Sequence, residues 1–437
     1  MSERRILHLQ ADFMGTVRLV ASIACEFGRY LPKLWRLRRV YRRRSKNVEP
    51  VVVLMGDNMD ATHGISVSSQ RLVRDLRAQG KHIFMVGVSH SRNKPGARTE
   101  DGAVHMLRAH VVQDLFGYPG QELAFPALDA VIDLLARHPV DIIEIETPGI
   151  FGLLVVILGP LLGISVVQNY RTDLVSYYRM LLNNPLFIEF LEWYTRSFLN
   201  CGDRVVVPSL AFREDVINFG IARSKVIQLP RGVELSRFHP DHADRSAWKA
   251  YGDFDGPIVL FLGRVSKEKG LETLIEAWPE IQRKHPDAIL GVVGDGPFRA
   301  EFETRMKKIG RAMFAGMVVG DELPKLVASC AVLAFPSTTD TFGNAVLEAL
   351  ASGVPAVVTD KGGPCEIVQD GQSGMIIHGN EPTTLAWSVN HLLSQEPLRK
   401  RLSLCARERA EEFSPERATT RQWEFFRDLQ TRRRPRN

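Results

Sequence analysis

The sequence predicts an α/β protein in which two doubly wound domains face a cleft. Three observations predict this. The chain has 437 residues, 45% of them hydrophobic, enough for two full cores. Short apolar runs alternate with segments of helical period, the pattern of parallel sheets covered by helices on both faces. The alternation stops in a polar stretch over residues 230–257, punctuated by Pro230, Gly232, Pro240 and Gly256-Pro257, and then restarts. The resulting boundaries are a basic amphipathic N-terminal segment over 1–49, a first domain over 50–240, a second over 241–412, and a C-terminal helix with a basic tail over 413–437.

The elements follow in order. Residues 1–50 mix aliphatic and aromatic residues with arginines, a composition that suits an interfacial helix on anionic headgroups or a solvated helix packed on the body. VVVLMGD is a buried-type strand that ends in a loop over Asn58–Ser66. The helix SSQRLVRDLRAQG stops at Gly80, and HIFMVGV is the next strand. DIIEIETPG, ISVVQNYRTD and DRVVVPS supply later strands. The run Phe151–Val167 is 17 residues long and holds Gly159, Pro160 and Gly163, so it reads as a buried helix leading into a strand and not as a membrane span. In the second half PIVLFLG, AILGVVGDG, AVLAFPS and PAVVTD are strands separated by helices, and charged helices close the chain.

Composition excludes several classes. The net charge of +6 is uneven: residues 1–50 hold 12 Lys/Arg against 4 Asp/Glu, and the tail TRRRPRN adds four arginines. The folded body is therefore net acidic, which argues against nucleic acid as a partner. Five scattered cysteines, an odd number, lack metal spacing and fit a reducing compartment. The histidines form no ligand cluster. The segment Val17–Ala24 is interrupted by Arg18, so no signal peptide is read there, and a cytoplasmic location, peripheral on the cytoplasmic membrane face, is expected.

Three second-half loops carry chemistry. LGRVSKEKG places Arg264 and Lys269 after a strand, where two cations can clasp a diphosphate. VGDGP is a tight turn in which the backbone at Gly294 can approach a ligand. FPSTTDTFGNAVLE ends a strand and starts a helix near Gly343, with Asp340 in the loop and Glu348 in an apolar helix. Free amides at a helix start form an anion site, and a carboxylate so placed is costly without a partner. Amides for phosphate beside carboxylates for hydroxyls suit a sugar nucleotide.

FLGRVSKEKG, VVGDGP and FPSTTDTFGNAVLEALASGVPAVVTDKGGPCEIV resemble the signature loops of family-4 retaining glycosyltransferases, which have the GT-B fold of two Rossmann-like domains. GDNMDATHGIS, IEIETPG, NYRTD, VVVPS and PRGVELSRFHP also have counterparts there, so the resemblance spans about residues 50–415. IETPG and the THG loop lean toward the lipid-directed branch containing sulfoquinovosyl-diacylglycerol synthases and mannosyltransferases. The resemblance implies that Glu348 holds the ribose hydroxyls and that Asp340 contacts the donor sugar. It implies that amides at Phe342, Gly343 and Asn344 receive phosphate or sugar oxygens, and that Arg264 and Lys269 neutralise the leaving diphosphate. Gly64, Gly263 and Gly294 would let backbone approach the donor. The family usually has Glu where this chain has Asp340, and often His where it has Arg171. Arg171 and Asp173 are further candidates, with Asp173 also placed to cap a helix near Leu174.

The expected function is retaining transfer of a sugar from a nucleotide-diphosphate donor to a lipid, glycan or small-molecule acceptor, without cofactor or metal. A sugar-nucleotide epimerase on the same fold, or a catalytically weak membrane-associated protein that binds a nucleotide sugar, are the alternatives. Tyr177 and Tyr178 read as packing residues, His63 as a loop residue, and Cys365 as chemically idle.

Overall fold

The computed structural model describes residues 29–42, 49–56, 64–89, 99, 102–114, 122–146, 149–181 and 184–432. Residues 57–63, with His63, and residues 147–148 of IETPG lie outside the described residues. So do residues 1–28 and 43–48 of the basic N-terminal segment, and the tail from 433.

The strands of the first half are β1 (Val52–Met55), β2 (Ile83–Val88), β3 (Val104–Leu107), β4 (Ala109–Asp114), β5 (Glu122–Pro126), β6 (Ile142–Ile145), β7 (Ser165–Asn169), β8 (Arg204–Val207) and β9 (Val226–Gln228). Seven of them form a parallel sheet in the order β3-β2-β1-β6-β7-β8-β9, while β4 and β5 form an antiparallel pair. The second half contributes β10 (Ile258–Leu262), β11 (Ile289–Val293), β12 (Ala312–Gly316), β13 (Val332–Phe335), β14 (Ala356–Thr359) and β15 (Gly374–Ile377). These make a parallel sheet in the order β12-β11-β10-β13-β14-β15. Strands such as Ile258–Leu262 are apolar throughout because both faces are buried. The chain therefore has the two-sheet GT-B architecture.

The second half has one continuous core, with Trp248, Trp278, Phe261 and Phe302 fully buried. The first sheet has a core on each face. One is closed by helices of its own half. The other is completed by Trp423, Phe426 and Leu429, from the final helix Pro415–Arg432. That helix leaves the second half and returns to the first. The two crossings between halves lie side by side: the Val233 amide donates to the Phe413 carbonyl at 2.9 Å, and a Cβ on Gly232 would stand 2.8 Å from the Pro415 Cα.

The apolar run after Phe151 is the helix Ile150–Leu162 followed by β7, as expected, but it is not wholly buried. Leu153, Ile157 and Leu161 point outward, one helical stripe with no charge in it. No helix among the described residues is long and apolar enough to cross a membrane.

Candidate functional site

All strands of the second sheet run parallel, so the loops after β10, β11 and β13 emerge at one edge, and the sheet order makes them neighbours. Glycine is required where they meet. Gly294 has φ +129°, and a Cβ there would lie 1.9 Å from the Gly263 carbonyl oxygen. Gly270 has φ +72°, with the Pro336 carbonyl 2.0 Å from where its Cβ would be. Close backbone approach thus packs the three loops into one surface.

The charged side chains of this surface are partly paired with one another. The Lys269 ammonium lies 2.6 Å from Asp340 Oδ2, and the Phe342 amide donates to Asp340 Oδ1 at 3.2 Å. Lys269 and Asp340 form one ion pair, where sequence reading gave them separate duties, and the Phe342 amide is already engaged. Arg264 lies over the Tyr177 ring of the first half, 5.2 Å from its centroid. Arg264 and Lys269 therefore reach different partners across the loop. Tyr177 bridges to the opposite wall, so packing alone does not describe it, whereas Tyr178 is buried in a small aromatic cluster. Gly343, at φ +103°, precedes the helix Asn344–Ala351, and no side chain caps that helix.

Between the halves lies a cavity of about 290 Å³. Asn344, Leu347 and Glu348 enter it from the second half, and Ser68, Arg71, Arg171 and Arg231 from the first. The start of the final helix, through Thr419 and Gln422, closes its back. The Glu348 carboxylate makes no hydrogen bond or ion pair with any described residue. Burial pushes its carboxyl up to about 7, against the opposing pull of Arg237. This is the unpartnered carboxylate that the apolar helix implied.

The first-half wall is a network of charges that sequence reading left unassigned. Strand alternation turns Glu144 and Glu146 to the same side of β6, and both are buried. Glu144 accepts from Gln422 Nε2 at 2.9 and 3.0 Å and from Asn169 Nδ2 at 3.1 Å. Desolvation, then the neighbouring Glu146, raises its pKa. Arg171 donates through Nε to Asn169 Oδ1 at 2.6 Å and lies 3.6 Å from Glu146. Arg171 is thus held in the cleft wall at the position where the family often has His. Acids in the otherwise apolar run IIEIE were the available signal for this network.

Asp173 caps the helix Leu174–Leu181, accepting from the Ser176 amide at 3.1 Å. The cap that the sequence offered for Asp173 is present, through one of its two carboxylate oxygens. Gly64 opens the helix Gly64–Ala78, directly after the undescribed loop 57–63. Cys365 donates to the Gly362 carbonyl, and burial raises its thiol pKa, which favours the unreactive form. Among the described residues no three His, Cys, Asp or Glu converge as a metal set.

The halves are tied across the cleft by polar contacts. Ser209 Oγ donates to the Thr341 carbonyl at 2.7 Å, and Thr341 Oγ1 donates to the Arg171 carbonyl at 2.7 Å. Glu366 accepts from the amides of Leu210 and Ala211 at 2.8 and 2.6 Å, at the N-terminus of the helix Leu210–Asn218.

Residues 62–237 match the family model "Glycosyltransferase Family 4", and residues 245–409 match "Glycosyl transferases group 1". The sulfoquinovosyl transferase SQD2 of Arabidopsis thaliana is 29% identical over 80% of this chain and 68% of its own length. A GDP-mannose-dependent alpha-mannosyltransferase of Mycolicibacterium smegmatis is 27% identical over 82% and 91%. The alpha-monoglucosyldiacylglycerol synthase of Streptococcus pneumoniae is 24% identical over 84% and 82%. Among solved structures, Anabaena HepE in complex with UDP superposes with a TM-score of 0.65 at 17% identity, over 86% of this chain and 100% of that one.

Proposed function

We propose that this chain, which belongs to the GT-B glycosyltransferases, moves a sugar from a nucleotide-diphosphate donor, with retention, to an acceptor presented at a membrane surface. The carrying observation is the meeting of the half-buried, unpartnered Glu348 carboxylate with an uncapped helix start and the cations of the β10 loop at one sheet edge. Glu348 receives the ribose hydroxyls. The amides of Gly343 and Asn344 receive phosphate oxygens. Arg264 and Lys269 meet the negative charge that grows on the leaving diphosphate, which is stabilisation of the transition state by fixed charge. Donor binding draws Lys269 from Asp340 to phosphate and frees Asp340 for a sugar hydroxyl. The relatives named for sulfoquinovosyl, mannosyl and glucosyl-diacylglycerol chemistry and the UDP complex of HepE support this reading.

The test is donor hydrolysis and transfer by Glu348→Ala and Arg264→Ala. Each should lose about 100-fold in kcat/KM, the scale of removing one preorganised group that meets developing charge. Wild-type turnover in both removes the assignment. Release of an epimerised nucleotide sugar without any acceptor would instead favour the epimerase.

The membrane part rests on exposed apolar stripes of three helices of the first half. Over residues 29–42 a helix buries Leu34 and Leu37 and exposes Leu31, Trp35 and Val40 among Arg29, Lys33, Arg36 and Arg39. The helix Ile150–Leu162 exposes its uncharged stripe, and the helix Pro185–Cys201 exposes Leu186, Phe190 and Trp193 at helical spacing. The first two helices bury their inner sides in one core cluster, which the third joins through Phe198 and Leu199 while its Ile188 and Leu191 pack in a separate small cluster. Apolar stripes beside a basic, Trp-bearing helix match an anionic lipid interface. Binding to phosphatidylglycerol vesicles should weaken with salt, and should fall when residues 1–48 are deleted or Phe190 and Trp193 become alanine. Unchanged sedimentation in both variants removes membrane docking.

A further inference from the structure

Arginines outnumber acids in the lining of the cavity between the halves, four against two, the acids being Glu234 and the unpaired Glu348. The arginines are Arg71, Arg171, Arg231 and Arg237. Arg71 lies 2.5 Å from Glu234. Arg237 lies 3.8 Å from the same carboxylate and donates to the Gly320 carbonyl at 3.0 Å. Arg171 is turned toward Glu146 and Asn169. Arg231 has no hydrogen bond or ion pair with any described residue. Of the acids near it, Glu234 is shared by two other arginines and Glu146 is taken by Arg171.

Arg231 is half-buried, so its guanidinium is only partly hydrated while no protein acceptor reaches it. Desolvation, then repulsion from Arg171, lowers the Arg231 pKa to about 9, so the group stays charged at neutral pH. The carboxylates that act on it from longer range are Glu146 and Asp340. Asp340 belongs to the donor loop, and its neighbour Thr341 rests on the Arg171 carbonyl. The Arg171 backbone thus meets the donor loop one residue from Asp340, where on the reading above the transferred sugar lies, and Arg231 lines the same cavity as Arg171.

A neutral hexose brings only hydroxyls to that place and leaves the Arg231 charge unmatched. A carboxylate or sulfonate brings several fixed acceptor oxygens, which a guanidinium fork pairs with geometrically as well as electrostatically. We infer that the sugar transferred by this enzyme is acidic, a uronate or a sulfonated hexose, whose anionic group is held by Arg231 with Arg171 beside it. This rests on the donor-cleft reading of the proposed function. It makes Arg231 a determinant of which sugar is held, distinct from the groups that hold the nucleotide.

The test compares matched donors with the full-length protein. UDP-glucuronate and UDP-sulfoquinovose are set against UDP-glucose, and GDP-mannuronate against GDP-mannose. Dissociation constants and kcat/KM are measured for wild type and Arg231→Gln. In the base series that binds, at least one acidic donor should be favoured over its neutral counterpart by about tenfold or more, and Arg231→Gln should reduce that preference to about threefold or less. Affinity for free UDP or GDP should be unchanged in the variant, which also reports an intact nucleotide site. Preference for the neutral donors, or an acidic preference untouched by the substitution, overturns the inference and leaves the glycosyltransferase reading standing. So does loss of free-nucleotide affinity in Arg231→Gln, which would assign the arginine to the diphosphate. An effect that appears only when phosphatidylglycerol replaces diacylglycerol as acceptor would assign the anion to the acceptor, and also overturns it. If no nucleotide or nucleotide sugar stabilises the wild-type protein thermally, the inference and the donor reading fall together.

Discussion

The two walls of the cleft are built by different means. The second-half wall is mostly backbone: glycines at positive φ let the loops after β10 and β11 touch, and an uncapped helix start presents its amides. The first-half wall is mostly side chain, with Glu144, Glu146, Asn169 and Arg171 held in one network and Gln422 reaching in from the last helix. A backbone site is specified by a few residues adjacent in sequence. A charge network is specified by residues up to 278 positions apart, as Glu144 and Gln422 are. The first kind suits a constant ligand part such as ribose and phosphate, and the second can vary with the sugar or acceptor.

The comparison breaks first if the backbone wall tolerates side chains. Gly294→Ala forces a Cβ against the Gly263 carbonyl at a left-handed φ and should cost about 3 kcal/mol or more, or prevent the second half from folding. Gly80→Ala, at φ +76° with nothing within 4 Å, should cost only about 1 kcal/mol. Chemical denaturation of the two variants measures the difference, and equal losses would show that the close loop contact is not what the glycine serves.

The tie between the walls gives a smaller effect. Glu366→Ala leaves the amides of Leu210 and Ala211 without their carboxylate and should destabilise the closed arrangement by about 1–2 kcal/mol. Small-angle scattering and thermal denaturation should show a more open, less stable protein. An unchanged scattering profile and melting temperature would mean that the other contacts across the cleft suffice.

A change of similar size and opposite sign sharpens the role of Glu348. Its pKa is raised above the usual carboxylate value, so its ionisation opposes folding: the penalty is absent below about pH 4.5, grows as pH rises toward 7, and is complete above it. Glu348→Gln should therefore be more stable than wild type at pH 8, by about 1–2 kcal/mol once the water in the cavity is allowed for, and equal to it at pH 4.5. The same variant should lose nucleotide affinity, a gain in stability at the cost of function. A variant less stable than wild type at pH 8 would mean that Glu348 has a partner in the folded protein.

By itself the sequence determined the alternation of strands and helices, the second-half loops, and the identity of Glu348 as a carboxylate with a reason to be there. Those features depend on local pattern: apolar runs, glycines at turns, and an acid inside an apolar helix such as NAVLEALA. Arg264, Lys269 and Asp340 were legible as residues but not as partners, since pairing depends on how separate loops meet. Only the tertiary structure decided that Lys269 pairs with Asp340 and that the last helix completes the first core. Only it could show that Arg231 stands without an ion-pair or hydrogen-bond partner among the described residues. Whether a buried charge is balanced depends on every group that folding brings near it, and no stretch of chain contains that sum.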